Sequence, residues 1–132
     1  MSDQRFRPRE RLRRRNDFAR VYGARCSRGD SYFVVYIAGN ELSWSRLGIV
    51  TGRRLGNAVF RNRNRRRVRE AIRRMKDEFP KGYDFVCVVR RVYDRTFEEL
   101  QSGLKKLMIK AAAAWEAKEV GSKPRLGSEN SS

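Results

Sequence analysis

Residues 53–76 read RRLGNAVFRNRNRRRVREAIRRMK, and this stretch decides the fold because charge and periodicity coincide in it. Eleven of its residues are basic (Arg53, Arg54, Arg61, Arg63, Arg65, Arg66, Arg67, Arg69, Arg73, Arg74, Lys76) and only Glu70 is acidic, so it carries more than half of the chain's net charge of +17. From Val68 onward, Val68, Ala71, Ile72, Met75 and Phe79 recur at the three-to-four spacing of a helix that buries one stripe. At about 100° per residue, Asn62, Arg65, Arg66, Arg69, Arg73 and Lys76 fall on one flank of that stripe, and Arg63, Arg67 and Arg74 on the other. Guanidinium groups are planar, permanently charged and forked, so a helix lined with them suits a row of phosphates better than it suits itself.

The rest of the composition agrees with a polyanion partner. The chain has 132 residues and 39% hydrophobic side chains, enough for one small domain with a modest core. Nucleic acid is a better fit than a lipid surface, since no apolar run approaches the roughly 20 residues of a membrane span. The N-terminus has no apolar signal region, so the protein is expected to be cytoplasmic. There is no histidine, and the two cysteines, Cys26 and Cys87, lie far apart, which removes the usual zinc spacings and the His-based acid–base and nucleophile pairs. Asp17, Asp30, Asp77, Glu78, Asp84 and Asp94 are scattered, with no paired metal-binding spacing. Any reaction this chain serves is expected to draw its chemistry from elsewhere.

Working outward from the basic helix, Asn57 after Gly56 stands where an N-cap is wanted, and the same helix start could attract a phosphate or a metal-bound water. Upstream, RLGIVT (residues 46–51) and SYFVVYIA (31–38) read as strands, the two forming an antiparallel hairpin if residues 39–45 make the turn. Residues 25–28 could add a short edge strand. A short helix over 17–22 is predicted, capped by Asn16 and ended by Gly23, with Phe18, Val21 and Tyr22 on one side. The arginines between Arg9 and Arg15 form an electrostatic arm. Downstream, Pro80-Lys81-Gly82 breaks the chain, and YDFVCVV (83–89) is apolar almost throughout, as a central strand is. Thr96 to Glu99 fits a capping box, and Phe97, Leu100, Leu104, Leu107, Ala111 and Trp115 continue a helical stripe to about Lys118. Residues 1–8 are expected to be a disordered basic N-terminus, 9–118 a single RNA-binding domain and 119–132 a disordered polar tail.

These elements predict an α/β (α+β) two-layer sandwich in the order αβββαβα, a small mixed sheet with helices packed on it. Arginines beside aromatic residues suit single-stranded RNA, which can stack bases on Phe18, Tyr22 and Tyr36 while its phosphates follow the helix. Taken singly, an aromatic residue of this kind is more often core than platform.

The run from Arg53 to Val59, leading into Phe60-Arg61-Asn62-Arg63 and then Arg65, Arg66, Arg69 and Glu70, resembles the signature of the bacterial ribonuclease P protein subunit. The likeness extends from about Arg9 to Trp115 and takes in Phe18, Tyr22, the FVVY strand, RLGI and the segment from Lys81 to Val86. The resemblance implies a protein that joins a catalytic RNA to remove the 5′ leader of precursor tRNA, with the RNA and bound Mg2+ performing the cleavage. It implies contacts to the catalytic RNA and substrate from Arg53, Arg54, Arg61, Asn62, Arg63, Arg65, Arg66 and Arg69, and a leader cleft lined by Phe18, Tyr22 and Tyr36. It also implies a left-handed βαβ crossover, against the general rule of handedness. Asn57 would lie where a metal contact is possible. No catalytic side chain and no protein partner are predicted. Asn64 departs from the family, standing near the Val68 stripe where an apolar residue is usual, so that it packs less tightly or bonds through its amide. A ribosomal-type structural RNA-binding protein and a DNA-compacting protein are the competing readings of the same composition.

Overall fold

The computed structural model describes residues 7–91 and 95–122. A 3-10 turn at Pro8–Glu10 leads to α1 (Arg15–Gly23), β1 (Ser27–Gly29), β2 (Phe33–Gly39), β3 (Arg46–Thr51), a second 3-10 turn (Arg53–Leu55), α2 (Ala58–Arg74), β4 (Tyr83–Val89) and α3 (Phe97–Ser122). The sheet order is β1-β2-β4-β3, with β4 antiparallel to β2 and parallel to β3.

The predicted hairpin between the second and third strands is therefore replaced by a different pairing. β4 lies between them, and it is the strand apolar on both faces: Phe85, Val86 and Cys87 are all fully buried, which only a central position provides. β3 and β4 are joined through α2 as a βαβ unit. β1 pairs antiparallel with β2 over Ser27–Gly29, slightly later than predicted. Asp30 delays the start of β2, because its Oδ1 accepts the N–H groups of Tyr32 and Phe33 at 2.8 and 2.9 Å and holds residues 30–32 in a turn.

Alternation sorts the core. Phe33, Val35, Ile37, Phe85, Cys87 and Leu47 face α2 and α3, meeting Val68, Ile72, Met75, Leu100, Leu104 and Met108. That is the predicted two-layer sandwich. The other face of the sheet, with Ala38 and Val86, receives Leu12 and Val21, so α1 covers part of the side opposite the larger helices. α1 begins at Arg15, not Asp17: the Arg14 carbonyl already accepts the N–H groups of Asp17 and Phe18 at 3.0 and 3.2 Å, which puts Asn16 inside the helix and not at its cap.

The ends of the domain also differ from the sequence reading. Pro8 opens a turn where loose chain is expected as far as residue 8, and Glu10 is buried. α3 starts with the reciprocal Thr96–Glu99 bonds of a capping box, at 2.9 and 3.1 Å, and continues as helix to Ser122, past the tail boundary at 119. The remainder of both predicted tails, 1–6 and 123–132, lies outside the described residues.

Candidate nucleic-acid interface

Three successive rungs of the sheet build the site on the α1 side. At the first, Ala38, Asp84 and Arg46 are paired across β2, β4 and β3. The Asp84 carboxylate is fully buried, and it accepts Arg46 Nε and Nη2 at 2.8 and 2.6 Å, Asn40 Nδ2 at 2.9 Å, and the Arg20 guanidinium. Arg20 belongs to α1 and also donates to the Gly39 carbonyl at 3.0 Å, while Asp17 of α1 stands 3.6 Å from Arg46. A buried carboxylate needs this many donors, and two of the ties reach α1, so the network fixes the helix over the sheet.

The second rung aligns Tyr36, Val86 and Gly48. Here α1 presents its aromatic pair. Phe18 lies on Gly48 so closely that a Cβ there would come 2.6 Å from Phe18 Cζ. Tyr22 meets Tyr36 edge-on, with ring centroids 4.8 Å apart and planes at 77°. Burial, then the neighbouring Tyr36, raises the Tyr22 pKa above its ordinary value, so the Tyr22 phenol stays neutral at physiological pH. Phe18 and Tyr36 are half-buried, and Tyr22 is 38% exposed, so all three reach solvent along one edge of α1.

The third rung, Val34, Val88 and Val50, passes beyond this aromatic edge, and all three valines are half-buried. They form an apolar floor beside the aromatic wall. No sequence pattern singled them out as site residues; the signal available was the strand alternation that places Val34 two residues from Tyr36 and Val50 two residues from Gly48.

β3 is an edge strand, and beside it the aromatic wall meets the basic helix. A cavity of about 240 Å3 is lined by Arg11, Leu12, Arg13, Phe18, Leu47, Gly48, Ile49 and Arg69. Its lining contains three arginines and no carboxylate. Burial lowers the Arg69 pKa, and the like charges of Arg11 and Arg65 lower it further, which marks this as a place where positive charge accumulates. Arg65 spans the gap to the sheet, donating to Thr51 Oγ1 at 2.7 Å and to Asn62 Oδ1 at 3.1 Å. Its Nε is buried without a partner, as is that of Arg61.

The other predicted RNA contacts divide by position. Asn62, Arg63 and Arg66 are exposed on α2, and Arg53 and Arg54 are exposed in the turn before it. Only the flank bearing Asn62, Arg65, Arg66 and Arg69 continues toward the groove. The opposite flank turns to α3: Arg67 donates to the Arg95 carbonyl at 2.6 Å, and the Arg74 guanidinium lies 5.2 Å from the Phe97 ring centroid. The charge at the end of α2 is partly offset, since Glu70 pairs with Arg73 and Arg74, and Lys76, just past the helix, is buried against Glu10 at 2.8 Å. Bonds to Arg73, then Arg74, hold the Glu70 pKa down at about 2. Lys76, expected on the phosphate-facing flank, is therefore structural.

Asn57 caps α2, its Oδ1 accepting the Phe60 N–H at 2.9 Å. Asn64 is buried and bonds through its amide, Nδ2 donating to the Phe60 carbonyl at 2.9 Å, so the polar residue on the stripe is satisfied within its own helix. Among the described residues no three His, Cys, Asp or Glu side chains are grouped to hold a metal ion, and no helix is long and apolar enough to cross a membrane.

Comparison with known proteins matches residues 6–112 to the family model described as Ribonuclease P. The chain is 44% identical over 95 residues to the ribonuclease P protein component of Thermotoga maritima, covering 72% of this chain and 81% of that protein. It is 38% identical over 99 residues to that of Clostridioides difficile, covering 74% and 87%. Among solved structures, the RNase P protein from Thermotoga maritima superposes with a TM-score of 0.71 at 38% identity, over 76% of this chain and 96% of that one. The Staphylococcus aureus RNase P protein gives 0.67 at 31% identity, over 80% and 97%.

Proposed function

Because the chain belongs to the ribonuclease P protein family, we propose that it is the protein subunit of that endoribonuclease, holding the 5′ leader of precursor tRNA against a catalytic RNA that performs the cleavage. The observation that carries this reading is the groove over the β3 edge. There Phe18 shares a cavity with Arg11, Arg13 and Arg69 whose lining holds no carboxylate, and Tyr22 and Tyr36, with Val34, Val50 and Val88, continue the apolar and aromatic surface across the same face of the sheet toward β2. Bases of a single strand can stack on the aromatic surface while their phosphates meet the arginines. A duplex would offer phosphates without exposed base faces, so the aromatic wall favours a single-stranded segment.

The exposed flank of Asn62, Arg65 and Arg66, with Arg53, Arg54, Arg61 and Arg63, is assigned to the catalytic RNA and the body of the substrate. Magnesium is assigned to the RNA and to substrate phosphates. Among the described acids, Asp84 is engaged with Arg46 and Arg20, Glu10 with Lys76, and Glu70 with Arg73 and Arg74. When bound by RNA, magnesium supplies activation of the attacking water and stabilisation of the leaving oxygen. This chain's own contribution is binding and orientation.

The test is reconstitution. Purified protein added to the catalytic RNA and a precursor tRNA at low magnesium should increase 5′ maturation over RNA alone, and should tighten binding of precursor more than of mature tRNA. No gain in cleavage over RNA alone would overturn the reading.

A further inference from the structure

The arm before α1 is not loose charge; its side chains alternate. Arg7, Arg9, Arg11 and Arg13 are exposed, while Glu10 and Leu12 turn inward and are buried. Glu10 Oε1 accepts the Arg7 N–H and meets Lys76 Nζ, both at 2.8 Å. Leu12 donates its N–H to the Leu47 carbonyl at 2.9 Å, extending the β3 edge by one bridge at Arg11. Trp44 Nε1 donates to the Arg9 carbonyl at 3.1 Å, and the Arg9 guanidinium rests on the Trp44 ring, 4.4 Å from its centroid. Glu10 thus sits by Lys76, whereas Arg11 and Arg13 share the groove lining with Arg69. Lys76 lies just past the C-terminal end of α2 and Arg69 lies within the helix before it, so the arm runs opposite to that helix with its arginines on the outer side.

We infer that residues 7–13 form a second RNA-binding ridge, which uses Arg9, Arg11 and Arg13 on the phosphate backbone of an RNA strand and is held in register by Glu10 on Lys76. This rests on the RNA-binding reading above. An unanchored arginine arm would lose conformational entropy on binding, and the Glu10, Leu12 and Trp44 contacts meet that cost during folding. The ridge and α2 converge at Arg11 and Arg69, so one strand can be gripped from both sides.

The experiment compares three variants of the full chain in salt titrations of binding to precursor tRNA, whose leader the groove is assigned to hold, each checked for folding by circular dichroism. The ridge variant, Arg9→Ala with Arg11→Ala and Arg13→Ala, should reduce the salt slope by about 2, at about 0.7 to 0.9 per lost contact. A control of equal charge loss at the β1 edge and α3, Arg28→Ala with Lys106→Ala and Lys110→Ala, should change the slope by less than about half that amount. Glu10→Gln raises the net charge yet should weaken binding several-fold, because the register is lost. Equal slope changes for the two triple variants, or tighter binding by Glu10→Gln, would overturn the proposal. Failure of the unmodified protein to bind the RNA would count against the functional reading itself, so the two failures are distinguishable.

Discussion

Gly48→Ala separates the cleft from the core, because the structure sets how far one ring must move. A methyl group at residue 48 would stand 2.6 Å from Phe18 Cζ, 2.7 Å from Phe18 Cε1 and 3.4 Å from Leu12 Cβ. Carbon atoms rest at about 3.5–4.0 Å, so the Phe18 ring must withdraw by about 1 Å. Phe18 is half-buried at the end of a flexible side chain, which places the folding cost near the low end of the roughly 1–3 kcal/mol typical of overpacking. Function should suffer more. If a leader base stacks on this ring, displacement forfeits part or all of about 1–3 kcal/mol, which lowers the preference for precursor over mature tRNA by about fivefold to 150-fold. The assay is the ratio of the two Kd values in the reconstituted enzyme, alongside urea denaturation of the free protein. The double variant Gly48→Ala with Phe18→Ala should bind no worse than Phe18→Ala alone, since both act through one ring. An unchanged ratio together with a stability loss of about 3 kcal/mol or more would show that Phe18 is rigid core and refute the argument.

Three further outcomes follow from particular groups. Asp84→Asn, which leaves the two arginines of the buried network short of a charge, should cost about 3 kcal/mol in urea unfolding, with a loss below about 1 kcal/mol refuting the role of the network in seating α1. Glu70, with its folded pKa depressed to about 2 by Arg73 and Arg74, stabilises the fold at pH values above its unfolded pKa of about 4.5, and this is lost as pH falls toward 2. The stability gap between the native protein and Glu70→Gln should therefore close between pH 4.5 and 2, and a gap independent of pH would show that the pair contributes nothing. Burial pushes the Cys87 thiol up to about 12, so it should resist thiol reagents at pH 8 until the protein unfolds; labelling of the folded protein at the rate of a free cysteine would contradict its buried setting.

The helices and strands were legible because each carries its own period. α2 announces itself through the Val68, Ala71, Ile72, Met75 stripe, and all of these are buried as the spacing requires. Strand pairing was a different matter. β2 and β3 are neighbours in sequence and each has an apolar face, so local reasoning joins them, whereas the sheet places β4 between them because it is the strand that loses most by meeting water on either side. The Asp84 network was invisible for a related reason. Its arginine partners come from 64 and 38 residues away, and an acid at the start of an otherwise apolar strand does not say which cations will reach it. Phe18 and Tyr22 were legible as neighbours on one side of a helix and the family resemblance put Tyr36 with them; what the residues did not give is the height at which α1 is tied to the sheet, which sets Phe18 on Gly48 and Tyr22 on Tyr36.

Net charge alone also misjudges where the field is strong. Five of the described acids are engaged within the protein: Glu70 and Glu10 offset part of the positive charge at the end of α2 and just past it, Glu78 pairs with Lys105 at 2.8 Å, Asp30 shapes a turn, and Asp84 anchors α1. Each of these contacts occupies a carboxylate outside the cavity lining, and four of them pair it with a cation. Arg11, Arg13 and Arg69 are left around a cavity also walled by Leu12, Phe18, Leu47 and Ile49, and the Arg69 pKa is lowered there by burial and then by the like charges of Arg11 and Arg65. A groove of this kind attracts an anion more strongly than an equal number of arginines spread over an open helix face. The acidic residues, placed where they complete the fold, are thus what concentrates a basic protein's charge beside its aromatic wall.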